Sequence, residues 1–99
     1  MKIVLFSAVL VSATMAVQAQ ARDAEEIYNK ACVACHAGGV SGAPKTGDAA
    51  DWKDHLAKGM PTLLNNAKNG IGAMPPKGLC MDCTDDEFKA LIKFMSTSK

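Results

Sequence analysis

Large rings are scarce in this chain. Three Phe, one Trp and one Tyr serve 99 residues, and Phe6 stands in the extreme N-terminal stretch. A core built on so few aromatics is thin, and a domain this small ordinarily needs a disulfide, a metal or a cofactor to hold it together. Basic runs are missing, and so is any basic patch, which excludes nucleic acid as a partner. Arginine is down to Arg22 and histidine to His36 and His55, so no distal acid/base set for catalysis is legible. The sequence shows no internal repeat, no linker, no low-complexity tract and no convincing strand.

What is present begins with a leader pattern. Lys2 precedes an apolar run, Ile3 to Leu10, that continues more weakly to Val17. Val17-Gln18-Ala19 and Ala19-Gln20-Ala21 are both small-x-small sites. A basic start, a short apolar stretch and such a site read as a secretory signal peptide, residues 1–21, removed after Ala21. The competing reading is a retained membrane anchor. Ser7, Ser12 and Thr14 interrupt the stretch, which falls short of the ~20 residues a span needs. No Cys stands at the cut, so a lipid-anchored start is not indicated. Residues 22–99 form the one domain, and without Lys2 the ten remaining Lys and Arg equal the ten Asp and Glu.

Helical signals follow in order. Asp23 is placed to cap a first helix, with Glu25 and Glu26 in the first turn, where they complement the dipole. Ile27, Ala31 and Ala34 recur at helical spacing, and Gly38-Gly39 ends the run. Asp48 caps a second helix reaching Lys58, stopped by Gly59. Pro61 suits the first turn of a third, which runs to about Asn69 and Gly70. Thr84-Asp85-Asp86-Glu87 is a capping box opening the last helix. Phe88, Leu91, Ile92 and Met95 make its apolar stripe. The fold class expected is all-α, three to four helices joined by long structured loops.

The strongest chemical signal is Cys32-Val33-Ala34-Cys35-His36. Cys-x-x-Cys-His is the attachment signature of c-type haem. Thiols three apart on a helix project from one side, so both reach one edge of the ring and add to its two vinyl groups. The next residue, His36, then offers its imidazole to the iron. A disulfide, a thioredoxin-like pair and a zinc site shared with Cys80 and Cys83 are the alternatives. The thioredoxin reading needs an α/β pattern, which is missing. The zinc reading needs a shorter spacer than the 45 positions from Cys35 to Cys80. One covalent haem c, through Cys32 and Cys35, is therefore the cofactor expected.

A second iron ligand is sought among Met60, Met74, Met81, Met95 and His55. Met74 stands in Ala73-Met74-Pro75-Pro76, between glycines. The following proline pushes it toward extended geometry, and two prolines stiffen the segment. Such a loop can hold a thioether at iron with little entropy left to lose, and His/Met ligation raises the reduction potential. Met60 precedes a single proline and is the nearest rival. Met95 belongs to the helix stripe, Met81 lies inside the second Cys pair, and His55 reads as a solvated surface group among charges.

At these residues the chain resembles the monohaem class I cytochromes c, and more closely the bacterial cytochrome c-five subgroup. The likeness rests on Tyr28-Asn29-Lys30-Ala31-Cys32, on Gly42-Ala43-Pro44-Lys45-Thr46-Gly47-Asp48, on Trp52, on Met74-Pro75-Pro76-Lys77-Gly78, and on Cys80-Met81-Asp82-Cys83. It implies an all-α fold around one haem, with Met74 as the distal ligand and a Cys80–Cys83 disulfide. It further implies that the Pro44 carbonyl accepts a hydrogen bond from the His36 imidazole, and that Trp52 packs near the haem propionates. Thr84, not His, follows Cys83, so a second haem is not expected. A redox-active Cys80/Cys83 pair is the other reading, but the sequence offers no cationic cluster to depress a thiol pKa.

The function expected is single-electron carriage in the bacterial periplasm, with no bond chemistry and no enzymatic activity. Redox protein donors and acceptors would dock transiently near Cys32 and Cys35, and loose membrane association is compatible with the reading. Lys45, Lys53, Lys58, Lys68 and Lys77 read as an ordinary mixed charged surface. The rival functions are a five-coordinate haem enzyme or gas sensor, and a haem-free zinc module.

Overall fold

A computed structural model describes residues 22–97; the leader expected at residues 1–21 lies outside the described residues. Ala24–Ile27, a π-helical turn Tyr28–Cys32 and Val33–His36 run on as one helix, α1. Ala49–Ala57 is α2, Met60–Asn69 is α3 and Asp85–Thr97 is α4. Among the described residues the only strand-like pairing is a single bridge, Ile71 to Met74.

Local chemistry accounts for most of these boundaries. The Asp48 carboxylate accepts from the Asp51 amide at 3.0 Å and starts α2. Pro61 occupies the first turn of α3, where its missing N–H costs nothing, and Gly70 ends it. Thr84 and Glu87 form the full capping box: the Thr84 amide donates to Glu87 Oε1 at 2.9 Å, and the Glu87 amide donates to Thr84 Oγ1 at 3.2 Å. Asp23 departs from expectation. It stands at the N-cap of α1 but its side chain accepts no capping hydrogen bond. The start of α1 is fastened instead by Arg22, which reaches across to α4.

The core lies where α1, α3 and α4 meet. Ile27, Tyr28, Leu63, Ala67, Phe88, Leu91, Ile92 and Met95 are buried together, with Trp52 from α2 and the Cys80 and Cys83 side chains. The Tyr28 and Phe94 rings hold α1 on α4, 5.2 Å apart and tilted at 55°. The stripe expected on the last helix is the one that is buried.

Two loops carry what the helices do not. Residues 37–48 return from α1 to α2 through a short turn, Val40–Gly42. Residues 70–84 pass through Met74 and a tight turn, Pro76–Leu79, that packs on α3 and on the π-helical turn of α1. Lys77, Gly78 and Leu79 there take φ of 63°, 53° and 69°, three successive left-handed residues. Only the glycine adopts that region freely; each of its neighbours costs on the order of 1–2 kcal/mol unless its surroundings impose it.

Candidate functional site: an apolar cavity ringed by two cysteines, a histidine and a methionine

A cavity of about 390 Å³ opens between the two loops and the core. Its inner wall is Leu63, Ala67, Phe88, Leu91, Ile92 and Met95. Cys32, Cys35 and His36 border it from α1, and Met74 and Pro75 from the later loop. So large an apolar cleft in so small a domain suits a bound group that completes the core. A flat, apolar, covalently held ring satisfies the shape, the lining and the two thiols together.

The thiols differ in setting. Cys35 is exposed and Cys32 half-buried, and neither is in a disulfide. Burial pushes the Cys32 thiol up to about 11, which keeps it protonated at neutral pH. The π-helical turn ends at Cys32, so α1 is locally widened where it meets the cavity. The sequence carried no signal for that turn.

His36 is buried at 8 % exposure. Its Nδ1 lies 2.9 Å from the Pro44 carbonyl oxygen, which leaves Nε2 as the ring nitrogen for the cavity. The His36 carbonyl in turn accepts from the Thr46 amide at 2.8 Å, so the 43–47 loop grips the residue at two points. Trp52 stacks beside it, ring centroids 6.0 Å apart and 22° from parallel. The indole N–H donates to the Lys45 carbonyl at 2.9 Å, so Trp52 braces the same loop. Trp52 also lines the cavity, the side on which the resemblance implies haem contact.

Of the methionines considered, Met74 and Met95 line the cavity, whereas Met60 and Met81 do not. Met95 lies in the α4 stripe and Met81 is exposed. Two glycines shape the Met74 loop. A Cβ on Gly78 would stand 2.8 Å from the Met74 methyl, and one on Gly70 would stand 2.8 Å from the Met74 carbonyl oxygen. Both have positive φ.

The structure corrects two expectations. His55 is not a solvated surface group. It is half-buried, lines the cavity, and meets the Trp52 ring edge-on at 6.2 Å. The second Cys pair does have a cation beside it. Cys80 and Cys83 form a disulfide with Cα atoms 5.4 Å apart, and Arg22 Nη2 lies 3.9 Å and 3.8 Å from the two sulfurs. Arg22 is 58 residues from Cys80 in the chain, too far for any local pattern to announce.

The lysines form no ring around the opening. Lys68 pairs with Asp85 at 3.0 Å and Lys77 donates to the Met81 carbonyl at 3.3 Å. Only Lys77 of the five borders the cavity. What surrounds the mouth is apolar: Val40, Ile71 and Leu79 line it and are 51 %, 48 % and 65 % exposed. No helix among the described residues is long and apolar enough to cross a membrane.

Comparison with known proteins points the same way. The family described as cytochrome c oxidase, cbb3-type, subunit III matches residues 19–95. Cytochrome c5 of Ectopseudomonas mendocina is 53 % identical over 79 residues, covering 77 % of this chain and 90 % of the relative. The mono-haem ferrocytochrome c of Shewanella putrefaciens superposes with a TM-score of 0.70 at 56 % identity, covering 82 % of this chain and all of that one. A chain from an electron-transfer complex of nitrite reductase with cytochrome c superposes with a TM-score of 0.68 at 41 % identity, covering 78 % of this chain and 95 % of that one.

Proposed function

The chain belongs to the monohaem class I c-type cytochromes, close to cytochrome c5, a family of small electron carriers with one covalent haem, and we propose that it works as a periplasmic carrier with His/Met-ligated iron. In this reading Cys32 and Cys35 attach the haem through thioethers, and His36 Nε2 and Met74 Sδ bind the iron. The leader is removed after Ala21, leaving residues 22–99 as the exported cytochrome domain. The single observation behind the assignment is that Cys32, Cys35, His36 and Met74 border one apolar cavity.

Bound there, the haem supplies an iron that alternates between ferrous and ferric states. The protein's part is to keep that exchange cheap. The Pro44 carbonyl fixes the tautomer and ring orientation of His36. The Gly70–Gly78 loop presents the Met74 thioether, a soft ligand that favours the ferrous state. Leu63, Phe88, Leu91 and Ile92 keep water from the buried side, which favours the less charged state and raises the potential.

Redox partners would dock at the mouth of the cavity. Val40, Ile71 and Leu79 offer an apolar contact there, suited to a small, transient interface. The structural neighbour taken from an electron-transfer complex with nitrite reductase lends support to a protein partner of this kind.

Absorption spectra of the exported protein test the reading. Ferric and ferrous samples are expected to be low-spin, with the weak far-red sulfur-to-iron band in the ferric form and little response to carbon monoxide. Met74→Ala should abolish that band. A high-spin spectrum that shifts strongly with carbon monoxide would overturn His/Met ligation and favour the five-coordinate enzyme or sensor.

A further inference from the structure

Glu87 is a buried carboxylate that electron carriage does not use. It is 3 % exposed at the start of α4. One oxygen, Oε1, serves the capping box and also accepts from Arg22 Nη2 at 3.3 Å. The other, Oε2, accepts from Arg22 twice: from Nε at 2.8 Å and from the backbone nitrogen at 3.0 Å. Arg22 Nη1 and Nη2 continue to the two oxygens of Asp82, both at 3.2 Å. The backbone nitrogen of Arg22 is the atom that the expected cut after Ala21 would free.

We propose that leader removal is a stabilising step in its own right, because it turns the Arg22 backbone nitrogen from an amide donor into an α-ammonium seated on the buried Glu87 carboxylate. The inference rests on cleavage between Ala21 and Arg22. Hydrolysis of that bond consumes one water, releases Ala21 as a carboxylate with the leader, and leaves an α-amine. With an ordinary pKa of about 8, that amine takes up a proton at neutral pH.

Charge counting shows why the cluster suits a second cation. Glu87 from α4 and Asp82 from the disulfide loop bring two negative charges. The Arg22 guanidinium brings one positive charge. From α1, Glu26 and Lys30 pair with each other at 3.2 Å and cancel; on α4, Asp85 is paired with Lys68. Of the exposed neighbours along the chain, Asp23, Glu25 and Asp86 are acidic and Lys89 is basic. The uncut chain thus keeps an excess of carboxylate around Glu87 that an α-ammonium offsets. Hydrogen bonds to charged groups are also stronger than those between neutral ones. The location has consequences beyond the terminus. Arg22 leads into the helix carrying His36, and its guanidinium grips the 80–83 loop that follows Met74, so one residue ties together the two segments that supply the iron ligands.

The test compares haem-loaded exported protein beginning at Arg22 with haem-loaded protein that keeps Ala19-Gln20-Ala21 in front of it. The Arg22 form is expected to have the higher urea midpoint at pH 7. The two midpoints should converge as pH rises through the α-amino pKa, since a folded pKa raised above the unfolded one contributes stability that is lost with deprotonation. The α-amino pKa, read by NMR, is expected well above about 8. Glu87→Gln should erase the difference between the two forms; if that variant does not fold, the α-amino pKa decides. Equal midpoints at pH 7, a difference that persists unchanged at high pH, or an α-amino pKa at its ordinary value would each overturn the proposal. Mass spectrometry of the exported chain separates this from failure of the cleavage reading, which a different N-terminal residue would show.

Discussion

The His36 imidazole and the Pro44 carbonyl, eight residues apart, meet at 2.9 Å through Nδ1. This contact decides what the histidine can do. With Nδ1 engaged by backbone, Nε2 is the ring nitrogen left for the cavity. Proline at the acceptor position fixes φ, so the carbonyl is presented by a stiff segment. That segment is braced further by the Trp52 N–H on the Lys45 carbonyl and by the Thr46 amide on the His36 carbonyl. Ligand and support are thus parts of one loop–helix unit.

The same logic applies to the methionine. Gly78→Ala would place a Cβ 2.8 Å from the Met74 methyl. Gly78 itself has a φ of +53°, so the added Cβ brings backbone strain as well as the clash. The variant is expected to fold with a weakened far-red band and measurable carbon monoxide binding. A band of unchanged intensity would show that the Met74 methyl moves aside without disturbing the thioether, and that Gly78 does not shape the Met74 site.

Acid should loosen the junction between the N-terminus and α4. Hydrogen bonds from Arg22 and then Thr84 hold the Glu87 carboxyl down at about 2, from an ordinary 4.5. A depressed folded-state pKa contributes stability that is fully present above pH 4.5 and disappears as pH falls toward 2. Urea midpoints measured across that window should fall, and Glu87→Gln should flatten the fall.

Among the described residues Leu91 is the most deeply buried large side chain, 2 % exposed on the α4 wall of the cavity. Leu91→Ala is expected to cost about 2–5 kcal/mol, a large share of what so small a domain has. Urea titration of the haem-loaded protein measures it. A loss under 1 kcal/mol would mean that the wall collapses to fill the gap.

The Cys80–Cys83 bridge closes a very short loop, for which chain entropy allows ~2 kcal/mol. The double Ser variant should lose about that much by urea titration while retaining the far-red band, because Arg22 still clamps Asp82 and Glu87 on either side. Loss of the band would give the disulfide a direct part in holding Met74.

Much of this protein is written in contacts between near neighbours, and those are what its sequence by itself determines. Cys32, Cys35 and His36 share one helix turn. Asp48 caps α2 through the amide three residues on, and Thr84 and Glu87 answer each other across the same span. The α4 stripe follows helical periodicity, and Met74 is marked by the prolines after it. Each is a local pattern with a local physical cause. The rest depends on segments that only tertiary packing brings together. Met95 shares the cavity wall with Met74, a juxtaposition the helix pattern does not announce. His55 leaves solvent because α2 turns its Trp52 face onto the cavity. Lys77 and Leu79 accept left-handed backbone because the turn is pressed against α3 and α1. Arg22 finds Glu87 across 65 residues. A pairing that distant has no periodicity to reveal it; it becomes favourable only after α1 and α4 have packed and removed its carboxylate from water.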